Sequence, residues 1–188
     1  DPNFKGASIS IPHKIEIMRY LDEIDPVAKK IGAVNTIVKN GQKLKGYNTD
    51  WIGILKPLAN FKNKKAAVIG AGGAARAAIY ALLTLRSKIT VFNRDVKKAK
   101  NLAEEFSIEF DSLENISRVS DFDVVINATK VGMDTKDKPV IAQKLIKPNQ
   151  IIFDVVYSKE NPETNLIKQA KKQKEFVHLR LMMKEFFY

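Results

Sequence analysis

Apolar and polar residues alternate over residues 7 to 11 (Ala-Ser-Ile-Ser-Ile), and the alternation stops at Pro12. Period-two alternation predicts a half-buried strand, and a proline cannot donate to a continuing ladder. From Lys14 to about Leu21 the period changes, and Ile15, Met18, Tyr20 and Leu21 cluster on one side of a predicted helix. A second short helix is expected around Val27 to Ile31. Thr36 to Lys39 and Lys43 to Tyr47 read as strands flanking Asn40-Gly41, a two-residue hairpin signal. Residues 50 to 60 read as a connecting helix opened by Asn48-Thr49-Asp50, whose short polar side chains suit a helix start.

A different rhythm begins at Lys64. Ala66-Ala67-Val68-Ile69 is a continuous apolar run, as expected of a strand buried on both faces. It enters Gly70-Ala71-Gly72-Gly73-Ala74-Ala75, and an alanine-rich helix follows to about Leu85. Further strands are predicted at Ile89 to Phe92, Ile108 to Phe110, Asp123 to Asn127 and Gln150 to Val156. Helices are predicted over 95 to 106 and from about Pro162 to Gln173. Strand–helix alternation of this kind predicts an α/β fold with a Rossmann-type, doubly wound parallel sheet.

Composition narrows the chemistry. The chain has 188 residues, 45% hydrophobic and 28% charged, an ordinary globular mixture. It has no cysteine, which excludes disulfides and thiolate chemistry, and only His13 and His178, so no multi-histidine metal site is expected. The net charge of +11 comes from lysines scattered along the whole chain, without an arginine-rich block. That distribution reads as a solvated surface, so no nucleic-acid partner is expected. No apolar run is long enough to span a bilayer, and Asp1-Pro2-Asn3-Phe4-Lys5 has no signal-peptide pattern, so no membrane partner is expected.

Gly70, Gly72 and Ala75 fit the dinucleotide fingerprint G-x-G-x-x-[GA], set after a strand and at the start of a helix. Gly70 permits the tight turn, Gly72 lets the backbone approach a pyrophosphate, and Ala75 allows close helix–strand packing. The helix N-terminus then offers free N–H groups and the positive end of its dipole. An NAD site would place an acidic residue at the end of the second strand. Here the chain reads Asn93-Arg94, with Lys97 and Lys98 behind, and Arg94 can pair a 2′-phosphate and stack on adenine. NADP is therefore the expected cofactor. Asp95 is an acidic neighbour that can cap the next helix.

Further motifs recur in order: Ser8-Ile9-Ser10-Ile11-Pro12-His13-Lys14, Gly32-Ala33-Val34-Asn35-Thr36 and Gly46-Tyr47-Asn48-Thr49-Asp50-Trp51-Ile52-Gly53 before the glycine loop, then Asn127-Ala128-Thr129 and Asp154-Val155-Val156-Tyr157 after it. Together with Asn93-Arg94 this set resembles the shikimate dehydrogenase family over roughly residues 6 to 170. The resemblance implies a catalytic Lys14 and Asp50, with Ser10, Asn35 and Tyr157 on the substrate. It implies that Gly70, Ala71, Gly72, Gly73 and Ala74 hold the pyrophosphate. Asn93, Arg94 and Lys98 would surround the 2′-phosphate, and Val155 would lie beside the nicotinamide. The implied reaction is reversible hydride transfer between NADPH and 3-dehydroshikimate, in the cytoplasm, on the route to chorismate and the aromatic amino acids. The implied partner is this small-molecule substrate, and a homodimer is compatible with it.

The domains expected are a partial substrate-binding domain with its connecting helix at 1–60, an NADP-binding Rossmann domain at 61–170 and an atypical tail at 171–188. The family pattern also has an N-terminal Ser-x-Ser segment and a C-terminal glutamine that these residues do not show. Asp95 stands where the family usually has Thr or Ser. The expectation is thus an incomplete chain, in which cofactor binding is expected ahead of turnover. The alternatives are a quinate/shikimate dehydrogenase using NAD and a non-catalytic nucleotide-binding remnant.

Overall fold

The structure, a computed structural model, describes residues 3–156, 163–172 and 177–180, the last stretch as backbone. Four strands form a small sheet in the order β1-β3-β4-β2: β1 (Gly6–Ser8), β2 (Glu23–Ile24), β3 (Thr36–Asn40) and β4 (Lys43–Tyr47). The predicted hairpin is present with its loop one residue later than Asn40-Gly41: Asn40 ends β3 opposite Lys43, and the two loop residues are Gly41, at φ 61°, and Gln42. β1 ends earlier than the alternation suggests. Beyond Ser8 the pairing continues, among the described residues, with one bond, from the Ile9 N–H to the Asn35 carbonyl at 2.7 Å. The chain then turns, with the His13 N–H on the Ser10 carbonyl and a cis Ile11–Pro12 peptide.

The helix expected from Lys14 is instead a short 3₁₀ stretch, Glu16–Tyr20. The reason lies at Lys14, whose carbonyl accepts the Val34 N–H at 2.8 Å and so is engaged in a tertiary contact rather than an i→i+4 ladder. The parallel strand β2 follows, and two residues are too few to carry a sequence pattern. Helix α1 (Pro26–Ile31) starts on Asp25, whose carboxylate takes the Val27 and Ala28 N–H groups, and stops at Gly32 in the left-handed region. Helix α2 (Asp50–Leu58) ends two residues short of expectation, and its Thr49 cap makes no side-chain bond. Asn48 accepts the Asp50 N–H instead.

The larger sheet is parallel throughout. Its elements are β5 (Lys65–Ile69), α3 (Gly73–Thr84), β6 (Lys88–Asn93), α4 (Val96–Phe106), β7 (Glu109–Ser112), a 3₁₀ segment Leu113–Asp121, β8 (Val124–Asn127), a 3₁₀ turn Gln143–Leu145, β9 (Ile151–Asp154), α5 (Asn165–Ala170) and β10 (Val177–Arg180). The strand order is β10-β9-β8-β5-β6-β7. Counted from β5 this is the doubly wound order of a Rossmann fold, with its reversal between β5 and β8. Helix α5 is shorter than predicted because Thr164 caps it and its hydroxyl accepts the Ile167 N–H. Part of the tail, β10, pairs with β9 and extends this sheet.

The pleat sorts the core. Ala66, Val68, Val91, Ile126 and Phe153 pack with α2, α3 and α4 on one face. Ala67, Ile69, Phe92, Val125 and Ile152 pack with α5 and the 3₁₀ segments on the other. Ile31 and Ala33 join the first cluster, so the small sheet's neighbourhood shares its apolar core with α3. Two polar contacts strengthen that junction. Arg76 grips Glu105 with both terminal nitrogens at 2.6 and 2.7 Å and reaches the Ile31 carbonyl at 3.3 Å. Trp51 and Tyr80 meet edge to face at 5.3 Å, tying α2 to α3.

At the end of β7, the Asn115 amide and then the Arg118 guanidinium hold the Asp111 carboxyl below its usual range, against the desolvation that raises it. A depressed folded-state pKa gives stability that is present above the unfolded carboxylate range and lost as pH falls. Asp111→Asn should therefore lower the urea midpoint at pH about 7 and lower it less at pH about 3, near the unfolded carboxylate value. An equal gap at both pH values would remove Asp111 from the acid response.

Candidate functional site

Asn35 organises a buried polar cluster between the small sheet and α2. Its backbone is fixed from both sides, by its own N–H to Tyr47 and by Ile9 to its carbonyl. Its side-chain Nδ2 donates to Asp50 Oδ1 at 2.8 Å and to Thr49 Oγ1 at 2.9 Å. Its Oδ1 accepts the Thr49 N–H and the Thr36 hydroxyl, each at 2.9 Å. Asp50, in the first turn of α2 and 3% exposed, takes Lys14 Nζ on its second oxygen at 2.7 Å. Lys14 is 13% exposed, and an ammonium has three N–H donors, of which Asp50 takes one. The remaining donors belong to a side chain that also lines an open cleft of about 930 Å³.

The glycine loop forms the cleft's other wall. Gly70 turns at φ 114°, and a Cβ there would stand 2.9 Å from the Ala128 carbonyl oxygen, so only glycine fits. Gly72 has an extended backbone and caps α3 without any side-chain bond. A Cβ on Gly72 would have nothing within 4 Å, which leaves the approach to the helix N-terminus open. Ala75 is fully buried against the sheet. A 12-residue helix thus directs its uncapped N-terminus into the cleft, at the point where the strand order reverses.

Beyond β6, Asn93, Arg94 and Lys98 line the same cleft. The Asn93 amide donates to the Asp95 carbonyl at 3.0 Å. Asp95 caps α4 as expected, accepting the Lys98 N–H at 3.1 Å, and lies 3.9 Å from the Lys98 ammonium. Arg94 is exposed and has no ion-pair partner among the described residues. The donor set fits a dinucleotide: open glycine backbone and helix N-terminus for the pyrophosphate, and exposed cations beyond the second strand for a further phosphate.

The cleft therefore brings together Lys14, the whole loop Gly70 to Ala74, Asn93, Arg94 and Lys98. Asp50 and Asn35 sit behind Lys14, buried, and connect to the cleft through it. Ser10 lies exposed on the turn after β1 and is not a wall of this cleft. Val155 is half-buried, packs on the α3 side of the core and donates its N–H to the Asn127 carbonyl at 3.1 Å. Tyr157 lies outside the described residues. Two further wall residues, Thr129 and Lys130, received no role from the sequence. Their signal was position, directly after a strand that borders the reversal point. Asn127 holds this loop, accepting the Thr129 N–H and hydroxyl while donating to Val131 and to buried Asp154. Among the described residues, no helix is long and apolar enough to cross a membrane.

Two family models match the chain: "Shikimate / quinate 5-dehydrogenase" over residues 54–160 and "Shikimate dehydrogenase substrate binding domain" over residues 1–37. A shikimate dehydrogenase (NADP(+)) of Aquifex aeolicus strain VF5 is 41% identical over 174 residues, 90% of this chain and 62% of the relative. Its counterpart in Ignicoccus hospitalis is 40% identical over 160 residues, 84% of this chain and 60% of the relative. The chain thus spans about three fifths of these relatives' length. The crystal structure of shikimate dehydrogenase from Aquifex aeolicus superposes with a TM-score of 0.84 at 39% identity, covering 96% of this chain and 67% of the other. The Thermus thermophilus enzyme, in complex with NADP(H) and shikimate, gives 0.81 at 32% identity over 94% and 67%. Quinate dehydrogenase from Corynebacterium glutamicum, in complex with NAD, gives 0.81 at 28% identity over 96% and 67%.

The open space beside Gly72 makes a clean test of the cleft. Its φ of −99° suits alanine, so Gly72→Ala should keep wild-type stability or gain up to about 1 kcal/mol. The same methyl should weaken a phosphate-bearing ligand at the α3 N-terminus by about tenfold or more. Thermal melts and NADP⁺ titration check both halves. A stable variant with unchanged NADP⁺ affinity would place the ligand elsewhere.

Proposed function

Since the chain belongs to the shikimate / quinate 5-dehydrogenase family, we propose that the protein carrying it is an NADP-dependent oxidoreductase that interconverts 3-dehydroshikimate and shikimate. The observation that carries this reading is the 2.7 Å Lys14–Asp50 pair beside a cleft whose opposite wall is the glycine loop. Residues 1–60 are taken as the substrate-binding part, 61–170 as the NADP-binding domain and 171–188 as an atypical tail, from which β10 joins the sheet of the NADP-binding domain. The small sheet, within residues 6–47, and the five strands between 65 and 154 support the first two. A homodimer in the cytoplasm is the accompanying expectation.

NADP supplies or accepts the hydride when bound. The Gly70 N–H is donated to the Phe92 carbonyl, so the N–H groups of Ala71 to Ala74 and the α3 dipole would hold the pyrophosphate across the turn that Gly70 makes, and Asn93, Arg94 and Lys98 would surround the 2′-phosphate. Val155 would lie beside the nicotinamide and Ser10 and Tyr157 would contact the substrate, while Asn35, whose amide is engaged by Asp50, Thr49 and Thr36, would act on it through Asp50. Reduction of a ring ketone builds negative charge on its oxygen. The Lys14 ammonium stabilises that charge and donates the proton. Asp50 fixes the ammonium's direction. Each carboxylate oxygen has a second lone-pair site, so Asp50 can also accept a ring hydroxyl.

A second reading, NAD with quinate, is favoured by one observation: the Asp95 carboxylate beside Arg94, where a 2′-phosphate would stand. One experiment addresses both readings. Reduction of NADP⁺ and NAD⁺ is followed with shikimate and with quinate, for the wild type and Lys14→Ala of the protein carrying this chain. The proposal expects the highest kcat/KM for NADP⁺ with shikimate, and loss of turnover without loss of NADP⁺ affinity in Lys14→Ala. A preference for NAD⁺ with quinate would install the second reading, and unchanged turnover in Lys14→Ala would remove Lys14 from the chemistry.

A further inference from the structure

Adjacent glycines of the loop face different neighbours. A Cβ on Gly72 would enter open space, whereas one on Gly73 would stand 2.8 Å from Lys14 Cβ, 3.2 Å from Lys14 Cδ and 3.4 Å from Ala33 Cβ. We propose that Gly73 is a positioning residue for Lys14, and that its missing side chain serves the lysine rather than the pyrophosphate. This deepens the reading of Lys14 as the reacting ammonium and rests on it.

The Lys14 side chain is pinned at both ends. Its backbone carbonyl holds the Val34 N–H at 2.8 Å, and its Nζ holds Asp50 at 2.7 Å. Between those anchors the chain crosses the first residue of α3. A methyl on Gly73 would overlap Lys14 Cβ, which no side-chain rotation can move aside. Helix α3 cannot easily yield either, because Arg76 ties its first turns to Glu105 and to the Ile31 carbonyl. The displacement therefore falls on Lys14 and its contact with Asp50. Gly73 itself is the first helical residue and is not among the positive-φ glycines, so alanine brings no backbone strain of its own. One turn of α3 thus carries both the N–H groups that face the cleft and the surface against which Lys14 lies.

The test compares wild type, Gly73→Ala and Gly72→Ala by amine-labelling rate at Lys14, with exposed Lys43 as internal reference, and by NADP⁺ titration. Loss of a charge-assisted hydrogen bond should speed Lys14 labelling in Gly73→Ala by about tenfold or more, with NADP⁺ affinity within about threefold of wild type. In the protein carrying this chain, kcat for shikimate oxidation should fall roughly 10²-fold, because small misplacements of a reacting group have that effect, while the KM for NADP⁺ holds. Unchanged labelling of Lys14, or an NADP⁺ loss as large as that of Gly72→Ala, would overturn the proposal. Should Gly73→Ala prove unstable, its destabilisation is measured again in a Lys14→Gly background, where the overlapping Cβ is gone. The proposal expects the destabilisation to vanish there, and an equal loss in both backgrounds rejects it. A wild type that binds no NADP⁺ would sink the functional reading, while the labelling and stability comparisons would still decide the Gly73–Lys14 contact.

Discussion

A carboxylate buried to 3% exposure needs compensation on both oxygens, and meeting that need at Asp50 organises the small-sheet side of the cleft. One oxygen takes the Asn35 amide and the other the Lys14 ammonium. Asn35 can serve only because its backbone is locked between Tyr47 and Ile9, which is what the small sheet provides. Lys14 can reach only because the chain leaves β1 after Ser8 and turns, and because its carbonyl is held by Val34. The predicted local structure is departed from twice on the way to Lys14, by the short strand and by the missing first helical turn. Both place a lysine where an isolated helix pattern would not.

The parallel sheet contributes the second half of the site by topology. Its strand order reverses between β5 and β8, and the glycine loop and the Asn127–Thr129 turn leave the sheet there side by side. Gly70 lets the two loops approach at a distance that any Cβ would prevent. The Asp154 carboxylate, held by Asn127, Val156 and Thr164, stiffens the β8 and β9 ends at the same edge. The two halves then meet through contacts that carry both packing and charge: Gly73 against Lys14, Ile31 and Ala33 in the α3 core, and Arg76 between Ile31 and Glu105.

Much of this was legible in the sequence where pattern and chemistry agree locally. The apolar run at 66–69, the glycine fingerprint and the Asn40-Gly41 hairpin each state their structure within a few residues. Asp95 as the cap of α4 is of the same kind. Features set by distant partners were not legible. The 3₁₀ form of Glu16–Tyr20 depends on Val34, and β2 depends on β4. The cleft-facing position of Thr129 and Lys130 depends on the strand order. Lys14 and Asp50 are 36 residues apart, and nothing in either local pattern distinguishes an exposed lysine and a helix cap from an ion pair. It was the family resemblance that joined them.

The central claim is that the Asp50 carboxylate holds Lys14 in its working position. Asp50→Asn keeps the size of the side chain and removes its charge, so it tests the claim most directly. Shikimate turnover and NADP⁺ affinity are measured together in the protein carrying this chain. The predicted result is a fall in turnover of roughly 10²-fold or more with NADP⁺ affinity unchanged, since Asp50 touches the proposed reacting lysine and none of the residues proposed to hold the cofactor. Turnover close to that of the wild type would contradict it and would leave the Lys14–Asp50 pair as a structural contact.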